Sequence, residues 1–526
     1  MALLLVIALA AVAGCEAAST AHHQRRDPRA LVVAKAADVQ GLDLARVTDS
    51  ESIEVGDLIF EGLVRWKPGT TDIEPGLATA WSTSPDGRHW TFDLRPGVTF
   101  HDGSPFDARA VTFSFERLLD PKHPRYLGES GAYWRSLLKD ITAVTALSPL
   151  RVQIDVARPY APLLGNLAMY PIVSPRAVVR YADDFRANPI GTGAFALESW
   201  VPGEAVVVKR YDHYWGPHPD LARIVFRVVV DARQRLVDLE SGAVDVATGI
   251  LPDEQAFVEL HPDLELHHTP GNDVSYLAFN TQKPPFDQLA VRRAISHAIN
   301  KEPIVKLAFQ GRAVAADGPL PSTQWAYHPA RVPVSYDIIE AKRALAQAAA
   351  AGTFDPDAHY KLYSSSTPRP YLPSPERVAR FLQTALEQIG VHTDLVLQPH
   401  PVTRQALQAG EHDLALYGWI GDTGDPDNFL YVLFHSDNTV IGSASNIAFF
   451  RDHVVDQLLV EAQGATETRT RIGLYAAAQD RIAELVPWVP IAHSEVVIAT
   501  RRDLRHVVLS PLGQPAYALI SRMGLP

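Results

Sequence analysis

The chain has 526 residues, room for two or three domains with full cores. At 47% hydrophobic and 21% charged it has the composition of a water-soluble globular protein, and its 40 prolines and 32 glycines predict many turns. A net charge of -12, with no Lys/Arg run longer than a pair such as Arg25-Arg26, argues against nucleic acid as a partner, because phosphate binding needs a basic face.

Residues 2–14 form an almost purely apolar run that ends Val12-Ala13-Gly14-Cys15. A membrane-spanning helix needs about 20 residues, so this run fits the apolar region of an export signal instead. Val-Ala-Gly-Cys resembles the lipobox of bacterial lipoproteins, which implies a signal peptide over residues 1–15, acylation of Cys15, a lipid anchor in a membrane and a flexible tether over residues 16–29. Cys15 is the only cysteine, so the chain has no intrachain disulfide. No later segment reaches 18 uninterrupted apolar residues.

Residues 31–34 read as a strand and residues 57–64 as a helix running into a turn. Asp86-Gly87 marks a hairpin between strands over 80–84 and 90–94. A second turn at Arg95-Pro96-Gly97 leads to Asp107, which caps a helix running to about Leu119. Gly191, Gly193 and Ala196 match the glycine spacing of a dinucleotide-binding fold, but that motif needs a helix after the glycines. Here 195–200 and 205–209 are strand-like, which predicts a hairpin. Residues 233–239 read as helix, 274–280 as a strand, and 287–299 as a helix capped by Asp287.

Four blocks keep a fixed order and spacing: Glu74-Pro75-Gly76-Leu77-Ala78, Ser84-Pro85-Asp86-Gly87, Leu94-Arg95-Pro96-Gly97-Val98 and Phe100-His101-Asp102-Gly103. Together with Asn188 to Phe195 and Ser241-Gly242-Ala243-Val244-Asp245 they resemble extracytoplasmic solute-binding protein family 5, the substrate-binding proteins of peptide and nickel ABC transporters. The resemblance covers roughly residues 31–520. It implies an α/β, two-lobed periplasmic-binding-protein-like fold, type II and of the large peptide-binding class. One lobe would comprise 30–274 plus 495–526, with an inserted subdomain at about 70–185, and the other 275–494. It implies no enzymatic activity, no cofactor and a monomer outside the cytoplasm, in the periplasm or at the cell surface. Its partners would be an ABC permease and the ATPase subunits that drive it.

Residues 359–434 alternate strand and helix: strands at 360–364, 394–398 and 413–419, helices at 375–389 and 403–409. That alternation predicts a doubly wound parallel sheet. The spaced prolines of Pro368-Arg369-Pro370-Tyr371-Leu372-Pro373 predict an extended stretch. Residues 456–485 read as helical, and 487–493 as extended and apolar.

Two loops leave strand C-terminal ends in this unit, where ligands bind in open α/β sheets. One carries Arg369. The other runs Gly418-Trp419-Ile420-Gly421-Asp422-Thr423-Gly424-Asp425-Pro426-Asp427. Asp425 precedes Pro426 as an N-cap, and Asp427 suits the positive end of a helix dipole. Asp422 has no such local duty. A carboxylate free for an amine and a guanidinium free for a carboxylate suit a zwitterionic short peptide. The same segments are similar to the dipeptide-binding branch of the family, with Leu372-Pro373-Ser374 standing where that branch has Asn-Pro-Asn. The resemblance implies that Asp422 pairs with the peptide amine and Arg369 with its carboxylate. Trp419, Tyr371 and Gly418 complete the expected ligand site, with Tyr133 and Trp134 as candidates from the first lobe. Non-peptide ligands of the same fold, such as nickel chelates, glutathione, haem or oligosaccharides, and a sensor role, stay open.

No compact His/Cys/Asp spacing predicts a metal site. The adjacent pairs His22-His23 and His267-His268 do not share a helical face. The chain has no His-Glu-x-x-His, no Gly-x-Ser-x-Gly and no phosphate-binding Gly-Lys loop, so no enzyme motif competes with a binding role.

Overall fold

The computed structural model of the chain describes residues 27–329 and 334–524. Cys15 and the apolar run before it lie outside them. The backbone of the molecule is a mixed sheet of 12 strands, with His392–Gln398 at one end and Phe195–Val201 at the other. One 14-residue strand, Trp488–Arg501, ties the two ends together. Its first half pairs antiparallel with Asp273–Phe279 and Ala313–Ala315, and its second half with Leu264–Pro270 and Val246–Thr248. Its β-branched residues Val489, Ile491, Val496, Val497 and Ile498 suit a pleated, half-buried surface.

On one side of this strand, Ala30–Lys35 lies parallel to Arg223–Val228 and to Val246–Thr248. Side chains alternate across the sheet: Leu31 and Val33 join the core of Phe195, Val208 and Phe226, while Val32 and Ala34 join Leu239, Val244 and Val258. The expected hairpin is present as Phe195–Val201 and Ala205–Arg210. A separate four-stranded antiparallel sheet follows the order Ala78–Thr83, His89–Leu94, Arg151–Val156, Ile141–Ser148. Helix Ala108–Leu119 covers it and buries Phe115 and Leu118 against Phe92 and Ile154. Asp107 caps that helix by accepting from the backbone N–H of Arg109 at 2.9 Å and of Ala110 at 3.3 Å.

On the other side, His392–Gln398, His359–Ser365 and Leu414–Ile420 run parallel, and Asp273–Phe279 lies antiparallel beside the last. This side of the sheet is therefore mixed, with three parallel strands and an antiparallel neighbour. Leu277, Leu362, Leu414 and Leu416 face helices Leu289–Ala298 and Pro375–Glu387. Tyr276, Ala278 and Ala415 face helices Asp427–Phe434, His453–Gly464 and Thr468–Leu485.

Local details differ from the sequence reading. The helix expected at 57–64 lies one element earlier, at Ser50–Gly56, where Asp49 accepts from Ser52 N and Asp57 is the C-terminal cap. Helix Leu289–Ala298 starts after Gln288, so Asp287 does not cap it. The segment read as one helix over 456–485 breaks between Gly464 and Thr468. Among the described residues no helix is long and apolar enough to cross a membrane.

Candidate functional site

The C-terminal ends of the three parallel strands form one rim. Asp422 lies two residues beyond Leu414–Ile420, in a turn tied down from both ends. Asn428 Oδ1 accepts from Asp422 N at 2.9 Å and from Trp419 Nε1 at 3.2 Å. Asn272 donates its amide to Gly421 O at 3.1 Å and Thr423 O at 3.0 Å, and its carbonyl accepts from Gly421 N at 2.7 Å. Gly421 is needed for this closeness: a Cβ there would stand 2.3 Å from Phe429 Cε2.

The Asp422 side chain is half-buried. Burial among neighbouring atoms pushes its pKa up, and hydrogen bonds from Asn428 and the Tyr133 hydroxyl pull it back. Tyr133 comes from helix Ala132–Leu137, far from Asp422 in the chain. Other contacts between distant segments lie beside it. Gly424 lies so close to Thr71 that a Cβ would meet Thr71 O at 2.3 Å. Thr71 Oγ1 donates to Thr323 O at 3.1 Å, and Ala161 N donates to Gln463 O at 2.8 Å. Trp134, by contrast, is buried and spends its Nε1 on Leu44 O at 2.8 Å.

The other two aspartates of the turn are structural. Asp425 accepts from Asp427 N at 3.0 Å, as an N-cap would, although helix Asp427–Phe434 starts two residues later. Its carboxylate also forms a two-pronged pair with Arg471 at 2.8 and 2.7 Å. Asp427 is buried and accepts from Gln463 Nε2 at 2.9 and 3.1 Å. Burial, reinforced by the neighbouring Asp425, raises its pKa to about 7, so it is more than a surface charge on the helix dipole.

Arg369 stands four residues beyond His359–Ser365. The prolines around it make a tight turn rather than the expected extended stretch: Arg369 N donates to Leu372 O at 3.1 Å and Leu372 N returns to Arg369 O at 2.9 Å. Pro370 takes the first central position, which its fixed φ favours. Tyr371, the second, is 4% exposed and lies on Gly418 of the neighbouring strand. A Cβ at Gly418 would stand 2.2 Å from Tyr371 Cδ2 and 2.6 Å from Val274 O, so only glycine lets the ring settle there. The Arg369 guanidinium draws the Tyr371 hydroxyl's pKa down against the effect of burial, while its own Nε is buried without a partner. His400 and Tyr417 are the ring neighbours of this end: their rings are parallel at 5.5 Å, and Tyr417 OH lies 3.4 Å from His400 Nε2.

The structure thus brings Asp422, Trp419 and Gly418 onto one strand and its following turn, lays Tyr371 against Gly418, and sets Arg369 in the turn that follows the adjacent parallel strand. The sequence reading did not select His400, Tyr417, Asn428 or Asn272. Pro399-His400-Pro401, at the end of the third parallel strand, was the one available signal for His400.

Comparison with known proteins agrees with this architecture. Residues 72–440 match the family described as bacterial extracellular solute-binding proteins, family 5 middle. The chain belongs to this family. Among its relatives, heme-binding protein A of Haemophilus influenzae is 34% identical over 88% of this chain and 86% of its own length. The dipeptide-binding protein of Escherichia coli is 32% identical over 88% and 89%. The solved structure of the ABC transporter-associated periplasmic binding protein DppA from Helicobacter pylori, in complex with peptide STSA, superposes with a TM-score of 0.78 at 31% identity, covering 94% of this chain and 98% of the other. This solute-binding protein therefore has the two-lobed α/β fold of the peptide-binding type.

Proposed function

We propose that this solute-binding protein captures free short peptides, dipeptides above all, in the cleft between its lobes and delivers them to an ABC permease. The observation that carries the reading is the rim of the second lobe, with a carboxylate at Asp422 and a guanidinium at Arg369 on neighbouring strand ends. A peptide ammonium would meet Asp422 and a peptide carboxylate would meet Arg369. Each ligand charge would be costly to bury unpaired, and each protein charge needs the opposite partner. Tyr371 and Trp419 flank the ligand, and Gly418 fixes the spacing between the two ends. Residues 30–274 with 495–526 act as one lobe and 275–494 as the other. The ligand drives closure by binding the closed form more tightly than the open one. Acylation of Cys15 would hold the protein, as a monomer, at the membrane beside its permease.

Calorimetric titration with di-, tri- and tetrapeptides, for the native protein and Asp422→Ala, tests this. Tight binding that weakens by about 2 kcal/mol or more in the variant is the expected result. Absence of binding by every peptide, or indifference to the variant, overturns the peptide reading. The heme-binding relative favours a second reading, a non-peptide ligand. Haemin binding that survives Asp422→Ala would support it.

A further inference from the structure

The Arg369 end of the cleft offers more than a single carboxylate requires. Two guanidinium groups, Arg369 and Arg404, act together on the same two rings, His400 and Tyr417. Neither has an ion-pair partner among the described residues. Two ring or side-chain nitrogens at this end, Arg369 Nε and His400 Nδ1, are buried with no hydrogen-bond partner. Orphan donors in a folded interior are costly, and a ligand acceptor is one way to satisfy them.

The tautomer of His400 follows from its neighbour. Tyr417 OH faces Nε2 at 3.4 Å and can donate to it, which leaves the ring proton on Nδ1 as a donor. Burial first, then the two arginines, pushes the His400 pKa down to about 4, so at neutral pH the ring is an uncharged donor rather than a third cation. Gln398, at the end of the same strand, has its Oε1 buried without a partner, and its amide can turn to present N–H instead.

We propose that this end of the cleft takes a dianionic ligand terminus, a peptide whose last residue is aspartate or glutamate, with the α-carboxylate on Arg369 and the side-chain carboxylate on His400 Nδ1 within the field of Arg404. The inference rests on the peptide reading above and narrows it to acidic carboxyl-terminal residues. An uncharged isostere such as glutamine would leave the excess positive charge unmatched.

The test is titration of the native protein, Arg404→Ala, His400→Phe and Asp422→Ala with two dipeptides of equal shape, Ala-Glu and Ala-Gln. The native protein should bind Ala-Glu at least about tenfold more tightly than Ala-Gln, as a charge-assisted contact would give. The preference should fall to about twofold or less in Arg404→Ala and in His400→Phe, where the phenyl ring keeps the stack on Tyr417 but has no donor. Arg404 is exposed, so its replacement leaves the core intact, and thermal melts of both variants check this. Asp422→Ala should weaken both peptides and keep their ratio. Equal affinity of the native protein for the two peptides, or a preference unchanged in both variants, overturns the inference while leaving the peptide reading in place. Failure of both peptides to bind the native protein overturns the two together.

Discussion

The hydroxyl of Tyr133 lies beside the carboxylate of Asp422 and draws the proton affinity of that carboxylate down against the effect of burial. This puts a hydroxyl where the proposed ligand amine would sit. A carboxylate has room for more than one donor, so an ammonium can share Asp422 with Tyr133 rather than displace it. Tyr133→Phe removes the hydroxyl beside this carboxylate and keeps the ring. Peptide affinity should fall by about 1 to 2 kcal/mol, with the melting temperature of the free protein nearly unchanged. Calorimetry on the variant checks this, and an unaltered Kd would show that Tyr133 does not contribute to the bound state.

Gly418 makes a prediction of the opposite kind, about shape. Its missing Cβ is the space occupied by the Tyr371 ring, and the carbonyl of Val274 closes the other side. Gly418→Ala forces either the strand or the Arg369 turn to move. Such overpacking costs roughly 1 to 3 kcal/mol. Urea denaturation should show that loss, and peptide affinity should fall with it because Arg369 is carried by the displaced turn. A variant with native stability and native affinity would mean that Tyr371 has another place to go.

How much of this was legible in the sequence depended on whether local chemistry sufficed. Asp422 stood out because Asp425 and Asp427 had evident local duties, whereas the close approaches at Gly421 and Gly424 depend on Phe429 and Thr71 and came only with the structure. Arg369 was legible as a cation at a strand end, but not the tight turn around it, since Pro370 serves a turn as well as an extended chain. Tyr133 could be named and not chosen, because its partner lies far along the chain. His400 could not be singled out from the sequence, because its stacking on Tyr417 depends on the register of three strands. The strand Trp488–Arg501 was read only as far as His493, because Ala492, His493 and Ser494 lack the β-branched signature midway along it.

That stretch has its own pH dependence. Asp273 is 4% exposed and accepts from Ser494 N at 2.8 Å and from the Ser494 hydroxyl. Burial raises its pKa to about 6, against the pull of both hydrogen bonds. An acid whose folded pKa lies above its unfolded value of 3.8 binds more protons when folded, so its contribution to stability is full below pH 4 and is lost as pH rises to about 6. Asp273→Asn removes this term, because the amide oxygen still accepts and the Ser494 hydroxyl can reverse its role. The stability of the variant relative to the native protein should therefore rise by about 2 to 3 kcal/mol between pH 4 and pH 7. Denaturant titrations across that range measure it, and a flat difference would refute the assignment.

The turn that carries Asp422 also depends on a charge behind it. The side chains of Arg471 and Asp425 are 8% and 12% exposed, and Arg471 further donates to Ala462 O at 3.0 Å and Tyr475 OH at 3.0 Å. Its guanidinium lies over the Trp325 ring at 5.0 Å. Arg471→Met would keep much of the packing volume but leave Asp425 beside Asp427 with no cation between them and the core. Breaking a buried pair from one side costs about 3 to 5 kcal/mol. Adding Asp425→Asn to Arg471→Met removes the stranded charge and should recover most of that loss, whereas independent sites would simply add their costs. Because Asp425 N-bonds Thr423 and holds Asp427 N, the single variant should also weaken peptide binding through the shape of the turn. Urea denaturation of the three variants together with peptide titration distinguishes the cases: additive losses would mean that Arg471 acts through packing on Trp325 and Tyr475 rather than through Asp425.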